Sequence, residues 1–209
     1  MKKIKIIILP LLALSILVIA NGRTKSNSSY QKIKQVVLNK KNQNQTINMF
    51  VTHGHCSTPF GGKIDKLNII APKRNDLGNP LEGMIISFEI DPNSFVSCKG
   101  ADITKKVKTP GLFIDKNNEK ITFKSTNVYT MGLDWYQVNG TFSIKGVEKN
   151  VTFFATGIRK PNDTSPSFLI LEGQLKLLDW GIDYDLIVNG KSDQTVRKWL
   201  HLNMKIGMI

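Results

Sequence analysis

Residues 119–155 hold the stretch that decides the fold. It contains Ile121-Thr122-Phe123-Lys124-Ser125-Thr126 and then Trp135-Tyr136-Gln137-Val138-Asn139-Gly140-Thr141-Phe142-Ser143-Ile144. Ile121, Phe123 and Ser125 fall on one side of an extended chain, with Thr122, Lys124 and Thr126 on the other. Tyr136, Val138, Gly140, Phe142 and Ile144 likewise oppose Gln137, Asn139, Thr141, Ser143 and Lys145. Alternation with period two marks strands that bury one face and wet the other. The link from Lys145 to Asn150 holds Gly146 among polar residues and is short enough for a hairpin. The centre of the protein is therefore an antiparallel meander.

Working outward, seven further segments carry strand patterning: 46–53, 62–70, 84–91, 135–145, 151–157, 168–177 and 195–206. Ile47, Met49 and Val51 point one way in the first. In the second there are two apolar sets, Ile64 with Ile70 and Leu67 with Ile69. In the last, Val196, Leu200, Leu202, Met204 and Ile206 share a face. With 121–126 these make eight antiparallel strands and almost no helical pattern, so the chain is all-β. Strands at this spacing suit a barrel or a sandwich. An even count allows an up-and-down barrel without free edges.

The chain has 209 residues and a formal charge of +13. Met1-Lys2-Lys3-Ile4-Lys5 is basic, and residues 6–20 are apolar but for Pro10 and Ser15. Val18-Ile19-Ala20 supplies small residues for a cleavage site. Residues 1–20 thus read as a secretory leader, too short an apolar run for a membrane anchor. Residues 21–29 read as a polar lead-in and 30–209 as one domain. Removing Lys2, Lys3 and Lys5 leaves a charge of +13 − 3 = +10. That excess suits anionic membrane surfaces or acidic glycans, although the lysines are spread along the chain as on an ordinary solvated surface. No basic cluster, zinc spacing or aromatic ribonucleoprotein motif points to nucleic acid.

The strand Ile-Thr-Phe-Lys-Ser-Thr, followed by Val138-x-Gly140-Thr141-Phe142-x-Ile144-Lys145-Gly146-Val147-x-Lys149-x-Val151, resembles the signature of the YceI-like family. These are bacterial, periplasmic, lipocalin-like barrels that bind polyisoprenoid lipids. The resemblance is strong over 121–151 and weaker over 47–206. It implies an eight-stranded barrel in place of a sandwich, a leading strand within 30–39, and a short helical excursion over 94–113. The chain departs from the family in two places. Thr104-Lys105-Lys106 stands where members often carry an Arg-Asp pair. Leu177 replaces the Arg that usually precedes the closing motif, here Leu178-Asp179-Trp180-Gly181-Ile182.

Several residues could carry chemistry. His53-Gly54-His55-Cys56 places two imidazoles on one strand face, but no second cluster completes a four-ligand set, so no metal is expected. Cys56 and Cys98 are the only cysteines. In an oxidising compartment an even count implies a bridge, and the strand order puts both at one rim, closing a loop worth about 4 kcal/mol in the chain-entropy model. A serine-hydrolase elbow, a zincin helix, paired carboxylates in a signature context and a phosphate loop are all missing, so neither catalysis nor a cofactor is expected. The Asn-x-Ser/Thr triplets at Asn27, Asn44, Asn139, Asn150 and Asn162 read as chance in an Asn-rich chain. Phe88, Phe123, Tyr136, Phe142, Phe153 and Trp180 are the candidate apolar lining. Ordinary core packing explains any one of them equally well; for the set, the resemblance implies an isoprenoid lipid or quinone-like amphiphile. The expected function is an exported lipid carrier or scavenger, the alternative a self-filled structural barrel.

Overall fold

In a computed structural model, the central stretch forms three long antiparallel strands. The structure describes residues 35–37, 45–53, 56–73, 78–115, 120–183 and 199–208, with the backbone alone at 35–37, 53 and 56. All lie within one compact unit, Ile33–Ile209. The expected leader and lead-in fall outside the described residues. Among the described residues no helix is long and apolar enough to cross a membrane.

The strands are β1 (Gln35–Val37), β2 (Thr46–His53), β3 (Cys56–Pro72), β4 (Ile85–Ile90), β5 (Ile121–Gly132), β6 (Trp135–Ile144), β7 (Val147–Ile158), β8 (Phe168–Lys176) and β9 (Trp199–Gly207). Strands β2 to β9 pair with their neighbours in chain order, and β9 returns to β2, so eight antiparallel strands close a barrel. Closure removes both sheet edges. The leading strand β1 stands outside the ring and pairs with the end of β3, Val37 opposite Ile70.

One face of the wall is buried all the way round. Ile47, Met49 and Val51 on β2 face inward with Ile86, Phe88 and Ile90 on β4 and Leu200, Met204 and Ile206 on β9. The alternation read from the sequence is thus the inside–outside alternation of a closed wall. The link between β6 and β7 is tighter than the six residues expected. Lys145 and Gly146 alone make the turn, both with positive φ (52° and 73°), and Val147 already pairs with Ile144. Two positive-φ residues give a turn whose twist matches the flanking strands.

The two apolar sets of 62–70 have a structural cause. The pairing of β3 with β4 shifts register between Asp65 and Asn68, and Lys66 adopts φ 46° there. Residues Phe60 and Ile64 are buried before this bulge, and Ile69 and Ala71 after it. An extra residue flips the facing of everything that follows. Ile70, grouped with Ile64 in the sequence, therefore points outward.

The expected helical excursion is present. A 3₁₀ turn at Pro92–Ser94 leads to α1 (Ala101–Val107). The segment is tied to β3 by reciprocal backbone hydrogen bonds between Gly61 and Val96 (2.8 and 2.9 Å). Phe95 and Phe113 drop onto Phe60, with ring centroids 5.2 and 5.7 Å from it. They pack at the upper end of the barrel, the end bearing the Lys145–Gly146 turn. The lower end bears the Leu133–Asp134 turn between β5 and β6.

Candidate functional site

The barrel interior is built from aromatic side chains that neighbouring strands aim at one axis. Phe88 on β4, Phe123 on β5, Phe142 on β6 and Phe153 on β7 are all buried. Phe123 is the hub, with centroids 5.2 Å from Phe88, 6.4 Å from Phe142 and 4.9 Å from Phe153. Phe142 meets Phe153 edge-on at 5.9 Å and Trp180 at 6.0 Å. Trp180 sits in the 3₁₀ turn Leu177–Trp180 after β8, and its indole N–H donates to the Val147 carbonyl (2.9 Å). That bond fixes the ring as a cap over the upper end. Five of the six residues picked out in the sequence therefore form one contiguous surface.

Three glycines on the buried side of the wall shape this surface. A Cβ on Gly140 would stand 2.5 Å from the Phe123 ring, one on Gly173 2.0 Å from Phe153, and one on Gly62 2.8 Å from Phe95. No side chain other than hydrogen leaves room for a ring at that depth. Phe123 and Phe153 are thus recessed into the neighbouring strand, and Phe95 of the excursion into β3.

Tyr136, the sixth residue, is fully buried but stands apart at the lower end. Its hydroxyl donates to Asp134 Oδ1 (3.4 Å) and accepts from the Leu81 backbone N–H (3.4 Å). Burial, helped by the Asp134 charge, pushes the phenol up to about 12. Asp134 itself is gripped by Arg159 through Nε on Oδ2 and Nη2 on Oδ1 (2.8 Å). The guanidinium also donates to the carbonyls of Gly78 (2.9 Å) and Thr164 (3.0 Å). This clamp gathers three loops at the lower end, and sequence reasoning missed it. Its members lie 25 residues apart, in turns without periodicity. Phe60, Phe95 and Phe113 were missed too, because two of them belong to the irregular excursion.

The expected Cys56–Cys98 bridge is not formed, because Cys98 carries a free, exposed thiol. The side chain of Cys56 lies outside the described residues. Shared placement at one rim does not suffice. The segment leading to Cys98 meets β3 through the isolated antiparallel bridge of Val96 to Gly61. Consistently, Ser97 Oγ donates to the Pro59 carbonyl (2.7 Å) and Lys99 Nζ to that of Ser57 (2.6 Å). The side chain of His53, with Gly54 and His55, also lies outside the described residues. Among the described residues no group of three His, Cys, Asp or Glu could hold a metal.

The outer wall carries a separate concavity of about 900 Å³, lined by residues such as Phe50, Thr52, Glu172, His201 and Asn203. Four of its polar groups pair within it, Thr52 with His201 (3.2 Å) and Asn203 with Glu172 (2.5 Å).

A solved structure shares this architecture. BcnA of Burkholderia cenocepacia superposes with a TM-score of 0.55 at 17% identity, over 78% of this chain and 94% of that one, a likeness of fold. The Campylobacter jejuni YCEI protein gives 0.47 at 14% identity, and a mutant CJ YCEI protein with a monobromobimane guest gives 0.48 at 12%; each comparison covers 99% of this chain and 96% of the other. No curated protein matches the sequence. The sequence matches the YceI-like domain over residues 38–207. With that match spanning most of the chain and an eight-stranded closed barrel beneath it, the protein belongs to the YceI-like family.

Proposed function

We propose that this protein is an exported lipid-binding barrel that holds an isoprenoid or similar amphiphile, acting as a carrier or scavenger without covalent chemistry. The observation that carries the reading is the recessing of Phe95, Phe123 and Phe153 over Gly62, Gly140 and Gly173. Each glycine gives its ring depth that a larger side chain would take up, and so spares interior volume that a slender tail can use. A hydrocarbon tail against such a lining gains about 25 cal/mol per Å² buried and needs no charged partner. Export follows from the basic, apolar N-terminal stretch and from the periplasmic habit of the family.

One observation favours the alternative of a self-filled barrel. The ring contacts run unbroken from Phe88 to Trp180, at 4.9–6.4 Å, as in an ordinary close-packed core. Native mass spectrometry with organic extraction separates the two. A carrier yields a stoichiometric polyprenyl or quinone lipid. Protein that arrives empty and binds no polyprenyl analogue in titration is a self-filled module.

A further inference from the structure

At the lower end of the barrel the outer wall stops being polar. Leu133 stands at the tip of the β5–β6 turn, 76% exposed, with Met131 just before it and Trp135 just after it, 45% exposed. Trp135 lies against Phe154 on β7, ring centroids 6.1 Å apart. Four positions along β7 from Phe154, past the exposed Thr156, the exposed Ile158 pairs directly with the exposed Phe168 of β8. Met131, Leu133, Trp135, Phe154, Ile158 and Phe168 thus place two exposed apolar pairs and an apolar turn at this end, with Thr156 between the pairs. Nothing in the fold requires them. A tight turn is normally polar, and a leucine at its tip gains no burial. Exposed apolar surface of this kind marks an interaction site.

The chemistry around the rim identifies the partner. Lys205 Nζ sits 4.3 Å over the Phe168 ring, holding a cation at the apolar border, and Lys160 lies just beyond Ile158. Tryptophan and lysine at the edge of an apolar patch are interfacial anchors, one end of each greasy and the other wet. Three acidic groups lie nearby, beside the basic Arg159, Lys160 and Lys205. Asp134 is clamped by Arg159, Asp163 accepts from Ser167 Oγ (3.2 Å), and Glu172 accepts from Asn203. The chain carries a formal +13, or +10 without the leader lysines Lys2, Lys3 and Lys5, which favours an anionic surface. We infer that this rim docks the barrel on an anionic lipid bilayer, Leu133 and Trp135 inserting among the acyl chains. The inference deepens the lipid-carrier reading and rests on it for the choice of a bilayer over a protein. It places the Asp134–Arg159 clamp, which gathers the loops across the lower end, at the membrane surface, where cargo would pass.

The test uses the full chain with mixed phosphatidylcholine–phosphatidylglycerol vesicles, with and without brominated acyl chains. Brominated lipid quenches Trp135, and the quenching disappears in Trp135→Phe, whose remaining tryptophans are Trp180 and Trp199. Leu133→Ser, at a site too exposed to affect folding, weakens vesicle binding about tenfold. Both variants share the apolar N-terminal stretch with wild type, so a difference between them and wild type belongs to the rim. An unquenched Trp135 overturns the inference, whether or not lipid is extracted from the lumen. Loss of a dimer in Leu133→Ser without quenching overturns it in favour of a second copy of this chain. Quenching of Trp135 in protein that carries no extractable lipid supports the rim and sinks the lumen reading alone.

Discussion

Gly173 shows how closely single residues set this interior. Its missing methyl group would lie 2.0 Å from Phe153 Cδ1, so Gly173→Ala must push the ring off the wall. The expected cost is about 1–3 kcal/mol, read in thermal melts, with a fall in extractable lipid as the ring moves inward. A melt unchanged from wild type would mean the ring was never seated there. Tyr136 carries a pH signature. Its phenol is pushed up to about 12 by burial, whereas an unfolded tyrosine titrates near 10. As pH rises through that window the unfolded chain gives up its proton first, so stability falls from about pH 10 and levels off near 12. The full effect is about 2–3 kcal/mol, and Tyr136→Phe removes that share of the alkaline loss in denaturant titrations. Cys98, free and exposed, is expected to react with maleimide in the folded protein, and Cys98→Ser to leave the melting temperature unchanged. Protection of Cys98 until reductant is added would instead reveal the bridge read from the sequence. The six aromatic positions were legible because each alternates with polar neighbours on a strand or stands in a recognisable motif. The glycine recesses under them were not, since a glycine in a strand announces close approach without saying to what.

At the scale of elements, periodicity located all eight wall strands, and the family resemblance located the excursion. It mistook how β3 joins its neighbours. Ile64 and Ile70 look like one face because their spacing is even, yet the bulge at Lys66 inserts a residue and turns the second half of the strand over. No local composition demanded that bulge; the need to keep both halves of a 17-residue strand facing a closed interior did. The lower-end clamp is also a property of elements brought together. Asp134 in the β5–β6 turn meets Arg159 at the end of β7, both side chains largely buried, at 11% and 21% exposure. Asp134→Ala leaves the guanidinium without its countercharge and is expected to cost about 2–4 kcal/mol. The double variant Asp134→Ala/Arg159→Met should lose less than the two singles summed. Strict additivity in urea titrations would show that the pair does not act as a unit.

For the whole molecule, a bound lipid must show itself as stability. A ligand that binds only the folded barrel adds about 2.7 kcal/mol at a hundredfold excess over its Kd. Protein stripped on a hydrophobic resin should therefore melt earlier than protein as isolated, and adding a polyprenyl analogue should restore it. Identical melts for loaded and stripped protein would favour the self-filled barrel. By itself the sequence determined the strands, their alternation and the family, because side-chain direction repeats every two residues and hydrophobic burial follows it. It also carried the apolar and basic composition from which export and lipid are argued. Only the tertiary structure decided that β9 closes on β2, which requires pairing across some 150 residues that no local pattern specifies. Only it placed Phe153 over Gly173 and brought the exposed Leu133, Trp135, Phe154 and Phe168 to the lower end of the barrel. Those are distances between parts of the chain far apart in sequence. They are set by the curvature and register of a closed wall, not by the residues taken in order.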